Sequence, residues 1–428
     1  MRISIKTFGC RLNQAESARY AAEFAARGWG VAAFGKPVDV VLLHACAVTQ
    51  TAESEVLRTA RKLRETAFVV IAGCVAPEAL PRAKEAAHLL VADKKNLAQI
   101  ITDAWRAGLR RNARLACPSR GSSEPRPPTV FPVFTTSRAW LKVQDGCDCR
   151  CAYCIVPDTR GAPRSRSLAE CLAEAAALFN AGHRELVVTG CNLARWGEGR
   201  LRLPELLAAL ADATPPGARL RVGSIEPARV GDAAALGREV VDVLAQHPVF
   251  CRFLHFPLQH ADPALLHAMR RCCAIGEYRA LLEYARKKIP GVALGADVIT
   301  GFPGEDAAAF GALREFIVQN PFANLHVFPY SERPGTPAAA MPNTVPHTVR
   351  KARARELIAL GSWQRAAFAT TQVGVPQRVL VERVVSGVGT GWTDTYLACR
   401  VSNTTPAQRD TLVDFTPSSV DADSVLDG

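Results

Sequence analysis

Four cysteines within eight residues, Cys147, Cys149, Cys151 and Cys154, constrain this chain more than any other stretch. Cys147, Cys151 and Cys154 are spaced C-x3-C-x2-C, which lets one loop place three thiolates on three corners of a cubic iron–sulfur cluster. The fourth iron then has no protein ligand and can accept a substrate or cofactor, as open catalytic metal sites do. Two other readings compete. A disulfide knot belongs to small secreted chains, whereas this one has 428 residues and no signal-peptide pattern at its start. A structural zinc site usually takes two ligand pairs a dozen or so residues apart rather than a bunch in one turn. Tyr153, directly before the last cysteine, either covers a bound adenine or packs within the loop.

Upstream, residues 2 to 93 alternate strand-like and helix-like segments, which predicts a doubly wound parallel α/β sheet. The strand candidates are Ile3–Phe8, Val38–His44, Phe68–Ala72 and Leu89–Val91. The spacing predicts helices from Asn13, with Asn13 and Glu16 as a capping pair, and around Thr51–Glu65. Cys10, Cys46 and Cys74 each follow a strand candidate. Ligands in such sheets gather at the carboxyl ends of strands, so these three are expected to converge on a second cluster. Arg58, Arg61, Lys62 and Arg64 read as a solvent-facing helix surface. The Pro-, Ser- and Gly-rich stretch from Cys117 to Pro128 reads as an interdomain linker, with Cys117 incidental.

Six further strand candidates follow: Trp140–Val143, Glu185–Thr189, Arg219–Ser224, Phe253–Gln259, Ala293–Thr300 and Asn324–Tyr330. Each is followed by a helical stretch, so a partial (β/α)6 barrel is expected, with its chemistry at the carboxyl ends of the strands. Gly190, Gly301 and Gly304 there allow close backbone approach to a cofactor, or are plain turn glycines. Arg160, Arg164 and Arg166 either grip phosphates or a carboxylate, or form a solvated basic loop. From Gln372 the helical pattern stops, and the strands Arg378–Val385 and Thr395–Val401 predict a small β-barrel. The acidic end, Asp410 to Asp427, is expected to fray. The resulting division is 1–111, a linker at 112–137, 138–366 and 367–428. A balance of 52 Lys and Arg against 40 Asp and Glu gives +12, which suits a polyanionic partner such as RNA. With no apolar run of membrane-spanning length, no membrane partner and a cytoplasmic location are expected.

The cysteine loop with its aromatic resembles the signature of radical S-adenosylmethionine (SAM) enzymes, in which SAM chelates the open iron. The whole chain resembles one branch of them, the methylthiotransferases, on Thr7-Phe8-Gly9-Cys10, Ala45-Cys46-Ala47, Ala72-Gly73-Cys74, Arg160-Gly161, Gly301-Phe302-Pro303-Gly304-Glu305, the stretch His326 to Thr336, and Gly391 to Tyr396. Gly9 to Gln14, Ser224-Ile225-Glu226-Pro227 and the His326 stretch look most like the MtaB type. The resemblance implies two [4Fe-4S] clusters, one on Cys147, Cys151 and Cys154 and an auxiliary one on Cys10, Cys46 and Cys74. Tyr153, Gly190, Ser224, Glu226, Asp297 and Gly301 are the expected SAM contacts. It further implies a C-terminal TRAM domain that binds RNA, an electron donor such as flavodoxin or ferredoxin, and the tRNA anticodon stem-loop as substrate. The modification would be a methylthio group at carbon 2 of N6-threonylcarbamoyladenosine, the alternatives being isopentenyladenosine in tRNA or ribosomal protein S12. Cys149 departs from the family pattern and is read as a bystander; His44 and Val75-Ala76-Pro77 depart without removing a ligand.

Overall fold

The computed structural model describes residues 1–47, 49–91, 96–107, 131–132, 134–228 and 235–428. Most of the expected linker, Cys117 included, lies outside them.

Five parallel strands form the first sheet: β1 (Arg2–Thr7), β2 (Gly30–Ala32), β3 (Val40–Ala45), β4 (Phe68–Gly73) and β5 (Leu89–Val91), in the order β2-β1-β3-β4-β5. The near-continuous apolar runs of the central strands β3 and β4 follow from burial on both faces, whereas β1 alternates and β2 is an exposed edge. Val40, Leu42 and Val70 pack against α1 (Arg11–Ala26) and α4 (Leu97–Arg106), while Val41, Leu43, Val69 and Ile71 pack against α2 (Gln50–Leu63) and α3 (Leu80–Ala86). The strand order reverses between β1 and β3, and such a switch point opens a crevice at the carboxyl ends of those two strands.

Helix α1 begins two residues before the expected start, with Cys10 at its N-cap. Asn13 and Glu16 therefore lie inside the helix and do not form a capping pair. Asn13 Nδ2 instead donates to the carbonyls of Phe8 and Ala45, both at 2.9 Å, tying the turn that carries Cys10 to the end of β3 that leads into Cys46. Arg58, Arg61, Lys62 and Arg64 are exposed, as the charge pattern predicts.

Six parallel strands make the second, open barrel: β6 (Arg138–Asp145), Glu185–Gly190, Arg219–Val222, Phe253–His255, Ala293–Thr300 and Asn324–Pro329. The isolated bridges Leu220–Phe250 and Ser224–His255 join its two halves. The third and fourth strands stop short of the expected Ser224 and Gln259; Pro257, two residues past the fourth, cannot donate to a ladder, while past the third the isolated bridge Ser224–His255 continues the pairing. Leu254, Leu294, Ala296 and Val298 point outward into the main core, so Phe253, His255, Gly295, Asp297 and Ile299 line the inside. On the last strand Leu325 and Val327 pack outward, which turns His326 and Phe328 inward.

The first unit bridges both edges of the open barrel. Lys142 on β6 meets Glu16 of α1 at 2.5 Å, and beyond the last strand Arg333 meets Glu53 of α2 at 2.6 Å.

Beyond the long helix His347–Thr370 lies a six-stranded, mostly antiparallel sheet running from Gln377–Val385 to Leu426–Asp427. The acidic end does not fray: Ser419–Val420 pairs with Leu426–Asp427, and Arg400 holds both Asp421 and Asp427. One guanidinium thus ties two of the tail's aspartates to the sheet, a pairing with no local sequence signal. Among the described residues, no helix is long and apolar enough to cross a membrane.

This last sheet also floors the barrel. The Tyr396 ring lies 5.1 Å from that of Phe253 and 4.5 Å from the Arg221 guanidinium, and its hydroxyl accepts from Arg11 at 2.7 Å. Arg219 donates to the carbonyls of Arg378 and Trp392, and Arg221 to that of Thr393. Both arginines rest on the fully buried Glu185, at 2.6 and 2.8 Å. Burial opposes ionisation of Glu185, but Arg221 and Arg219 outweigh it and hold the carboxyl well below its usual range. Its contribution to stability is therefore present above the ordinary carboxyl range and lost only as pH falls through the depressed folded value. Glu185→Gln leaves two buried guanidinium groups uncompensated, and a loss of about 3–5 kcal/mol is expected. Earlier proteolytic release of the C-terminal sheet and a lowered unfolding temperature are the readouts; unchanged values would remove Glu185 from this role.

Candidate cluster site between two cysteine trios

The cysteine loop leaves β6 through Gly146, at φ +73°. A Cβ there would lie 2.1 Å from the Ala162 carbonyl oxygen, so only glycine lets the loop fold back on itself. Cys147 N–H donates to the Gly161 carbonyl at 3.0 Å, Ala152 N–H to that of Met269 at 3.0 Å, and Ala338 N–H to that of Ala152 at 2.8 Å. The loop is thereby held from three sides at the carboxyl ends of the barrel strands.

All four of its thiols are free, and donors from elsewhere aim at their sulfurs. Asn192 Nδ2 lies 3.6 Å from Cys147 Sγ and 3.4 Å from Cys149 Sγ, and Arg271 Nη1 lies 3.9 Å from Cys151 Sγ. N–H groups directed at sulfur are what thiolate ligands of an iron–sulfur cluster require, so the residues present fit such a group. Burial pushes the Cys154 thiol up to about 11 and raises that of Cys151, with Arg271 opposing the latter. Cys147 is held below the ordinary thiol range, chiefly by a hydrogen bond from the Cys149 thiol. The Cys149 backbone N–H also donates to Cys147 Sγ at 3.4 Å, and its own sulfur accepts from Arg195 at 3.7 Å. Spacing alone could not reveal this, since Asn192 and Arg195 come from the next barrel strand's loop.

Among the described residues, two groups lie close enough to hold a single ion, with ligand atoms within 4.8 Å of one another: Cys147, Asp148 and Cys149, and His255, Asp297 and His326. Cys147, Cys151 and Cys154 do not form such a group. A cubic cluster distributes its thiolates over separate irons, so it needs a wider cradle than one ion does.

The other trio lies at the switch-point end of the first sheet. Cys10 is exposed at the start of α1, and Cys46 and Cys74 are buried just past β3 and β4. A Cβ on Gly9, at φ +91°, would lie 2.5 Å from Cys46 Sγ, so glycine there is what lets the Cys10 turn press against Cys46. Cys74 N–H donates to the Ala45 carbonyl at 3.1 Å, bringing the other two strand ends together. Cys74 also shares a small apolar cluster with Ile155 of the cysteine loop, so the two trios face one another.

Arg160 sits between them. It is buried and donates to Glu16 at 2.9 Å, Asp145 at 2.8 Å and Asn13 at 2.5 Å; Glu16 in turn meets His44 at 3.2 Å. Burial opposes charge on Arg160, but Glu16 leads the groups that keep its pKa above the ordinary value. Of the three arginines flagged by composition, Arg160 is thus internal, Arg166 pairs with Glu174 at 2.8 Å, and only Arg164 is exposed. His44, a departure from the common pattern, is a buried member of this network and bonds Ser17 at 2.8 Å. Cys191, unflagged in the sequence, lies within electrostatic reach of Arg160, Cys154 and Cys10, and burial pushes its thiol up to about 12.

The six expected SAM contacts are dispersed in role. Tyr153 packs against the cluster of Leu265, Met269 and Phe302. A Cβ on Gly190 would press on Gln144, and at Gly301, φ +72°, the close approach is made by the Arg350 side chain. Glu226 is gripped by Arg271 in two bonds of 2.7 Å each. Asp297 lies 3.0 Å from both His255 Nε2 and His326 Nδ1; burial opposes its ionisation, but the two imidazoles hold it well below its usual range. Ser224 is exposed at the bridge to His255.

Residues 141–317 match the radical SAM superfamily, and residues 2–92 match the family described as Uncharacterized protein family UPF0004. The chain is 30% identical to the threonylcarbamoyladenosine tRNA methylthiotransferase MtaB of Bacillus subtilis, covering 92% of this chain and 89% of that protein. It is 32% identical to the tRNA-2-methylthio-N(6)-dimethylallyladenosine synthase of Sphingopyxis alaskensis, over 89% and 86%. The fold is similar to that of the radical SAM methyltransferase TsrM from Kitasatospora setae, at a TM-score of 0.57 and 15% identity, over 91% of this chain and 80% of that one.

Truncation of Arg160 to Ala removes the more buried of the two cations that Glu16 and Asp145 share, leaving them Lys142, and a loss of about 1–3 kcal/mol is expected from the buried hydrogen bonds broken. Hydrogen exchange should quicken in both α1 and the cysteine loop. Arg160→Lys should restore little, since one ammonium cannot span three acceptors. Parent-like exchange in the Ala variant would show that the network does not fasten the two units.

Proposed function

We propose that this chain, which belongs to the radical SAM methylthiotransferase family, adds its methylthio group at carbon 2 of N6-threonylcarbamoyladenosine, next to the anticodon of tRNA. The observation that carries the substrate is the inner wall of the barrel. Between the Tyr396 floor and the cysteine loop that wall is polar, formed by His255, Asp297 and His326. A threonylcarbamoyl group brings a urea, a hydroxyl and a carboxylate to such a wall. A dimethylallyl group offers that wall neither donor nor acceptor, so any wall atom it strips of water beyond the His255–Asp297–His326 pairings goes unreplaced, at about 1–3 kcal/mol for each such group.

The family carries a radical SAM cluster, SAM and a second iron–sulfur cluster. Together these supply one-electron chemistry that activates an inert aromatic C–H bond and sulfur chemistry that acid–base catalysis cannot provide. On this reading Cys147, Cys151 and Cys154 hold the first cluster, and Cys10, Cys46 and Cys74 hold the second. Arg271, fixed by Glu226, orients the Cys151 sulfur, and Asn192 that of Cys147. The Arg160 network keeps the two trios in register. The division into 1–111, 138–366 and 367–428 assigns the sulfur-bearing cluster, the radical chemistry and RNA binding to separate units. A net charge of +12 supports phosphate contacts to the anticodon stem-loop, which weaken with salt. A one-electron donor such as flavodoxin or ferredoxin completes the cycle in the cytoplasm.

Mass spectrometry of tRNA nucleosides from strains with and without this gene tests the substrate. The methylthio form of threonylcarbamoyladenosine should vanish on deletion and return on complementation. Loss of methylthio-isopentenyladenosine alone would move the chain to the other tRNA branch, and persistence of both would point to a protein substrate. Cys10→Ala protein should lack the second cluster by iron analysis and form no methylthio product. Full product from that variant would sink the division of labour.

A further inference from the structure

The inner face of the last barrel strand carries two side chains that the cluster chemistry does not use. Phe328 is 45% exposed although it sits at the carboxyl end of a barrel strand, opposite Ile299, which is 8% exposed and packs with Ala152 of the cysteine loop. Two residues earlier on the same face, His326 has a side chain 43% exposed and places Nδ1 3.0 Å from Asp297 Oδ1. An ionised carboxylate only accepts, so Nδ1 of His326 is the donor and Nε2 is left as an acceptor when the ring is neutral. His255 backs the pair from the neighbouring strand, its ring 5.1 Å from that of His326. Gly295 makes room for it, since a Cβ there would lie 2.5 Å from His255 Nδ1.

From floor to mouth the wall therefore runs Tyr396 and Phe253, then His255, Asp297 and His326, then Ile299 and Phe328, then the cysteine loop. An aromatic face beside a fixed acceptor is what a single extruded base needs: a surface to stack on and a partner for its edge. We propose that this strand face is the receptor for the target base, with Phe328 stacking on the purine and His326 Nε2 accepting a hydrogen bond from its exocyclic N6–H. Bases in an anticodon loop are already unpaired, so extrusion into the barrel costs little more than unstacking. The inference rests on the reading that the substrate is a tRNA base. It does not depend on which N6 substituent that base carries, because both candidate nucleosides keep an N6–H.

The test uses the cluster-loaded, full-length protein and anticodon stem-loops that carry adenine, purine or no base at the target position. Binding is measured without turnover. The parent should bind the adenine stem-loop about tenfold more tightly than the abasic one, the scale of one base–aromatic stack. Phe328→Ala should abolish that preference and Phe328→Tyr should keep it. The parent should favour adenine over purine by a few-fold, as for one neutral hydrogen bond, and His326→Ala should erase the difference. SAM binding should be unchanged in every variant, which separates loss of base recognition from misfolding. A base preference that survives Phe328→Ala would overturn the proposal. So would a stoichiometric divalent ion other than iron that is lost in His326→Ala, since it would assign His255, Asp297 and His326 to a metal. With stem-loops carrying threonylcarbamoyl- and dimethylallyl-adenine added to the set, a parent that prefers the dimethylallyl form, and whose preference for adenine over the abasic site is lost in Phe328→Ala, would uphold the receptor and defeat the threonylcarbamoyl assignment.

Discussion

One buried guanidinium sets the geometry on which the rest depends. Arg160 leaves the cysteine loop, enters the first sheet's unit and takes three acceptors there and on β6: Glu16, Asn13 and Asp145. Asn13 also fixes the turn that bears Cys10 and the end of β3 before Cys46, so a single hydrogen-bonded group reaches both trios. A hydrophobic contact of the same area would tolerate sliding. Directed bonds to a planar fork do not, and the proposed division of labour between the two trios requires fixed separation and orientation.

The parts of this molecule visible in the sequence are those whose cause is local. The cysteine loop declares itself because its four cysteines lie within eight residues. The central strands show because burial on both faces writes long apolar runs, and Cys46 and Cys74 are legible because each ends such a run, Cys10 because it ends an alternating one. The parts that stay hidden are made by partners far apart in the chain. Arg160 reads as a basic loop until Glu16 is seen against it, and Arg271 has no signal until Glu226 and Cys151 converge on it. Asn13 looks like a helix cap, yet its amide is claimed by two carbonyls from the tertiary fold, and the helix starts earlier. The acidic tail looks frayed for the same reason: Arg400, which orders it, is some twenty residues upstream.

Cys149 shows how an extra group can alter a site without joining its ligand set. Its thiol and backbone N–H both approach Cys147 Sγ, while Asn192 and Arg195 approach Cys149 itself. The loop thereby gains a donor beside Cys147 Sγ, and on the proposed reading hydrogen bonds at sulfur are among the levers that set the potential of an iron–sulfur centre.

The floor built from Tyr396 has a consequence for traffic. A barrel stoppered at its lower end by a ring wedged among Phe253, Arg221 and Arg11 is a blind shaft, with entry and exit at the same rim. Whatever lodges deepest must arrive first and depart last. The sheet that supplies the stopper also carries the terminal segment of the chain, so a module with four arginines against seven Asp and Glu, far from any cysteine trio in sequence, fixes how deep the barrel's interior runs.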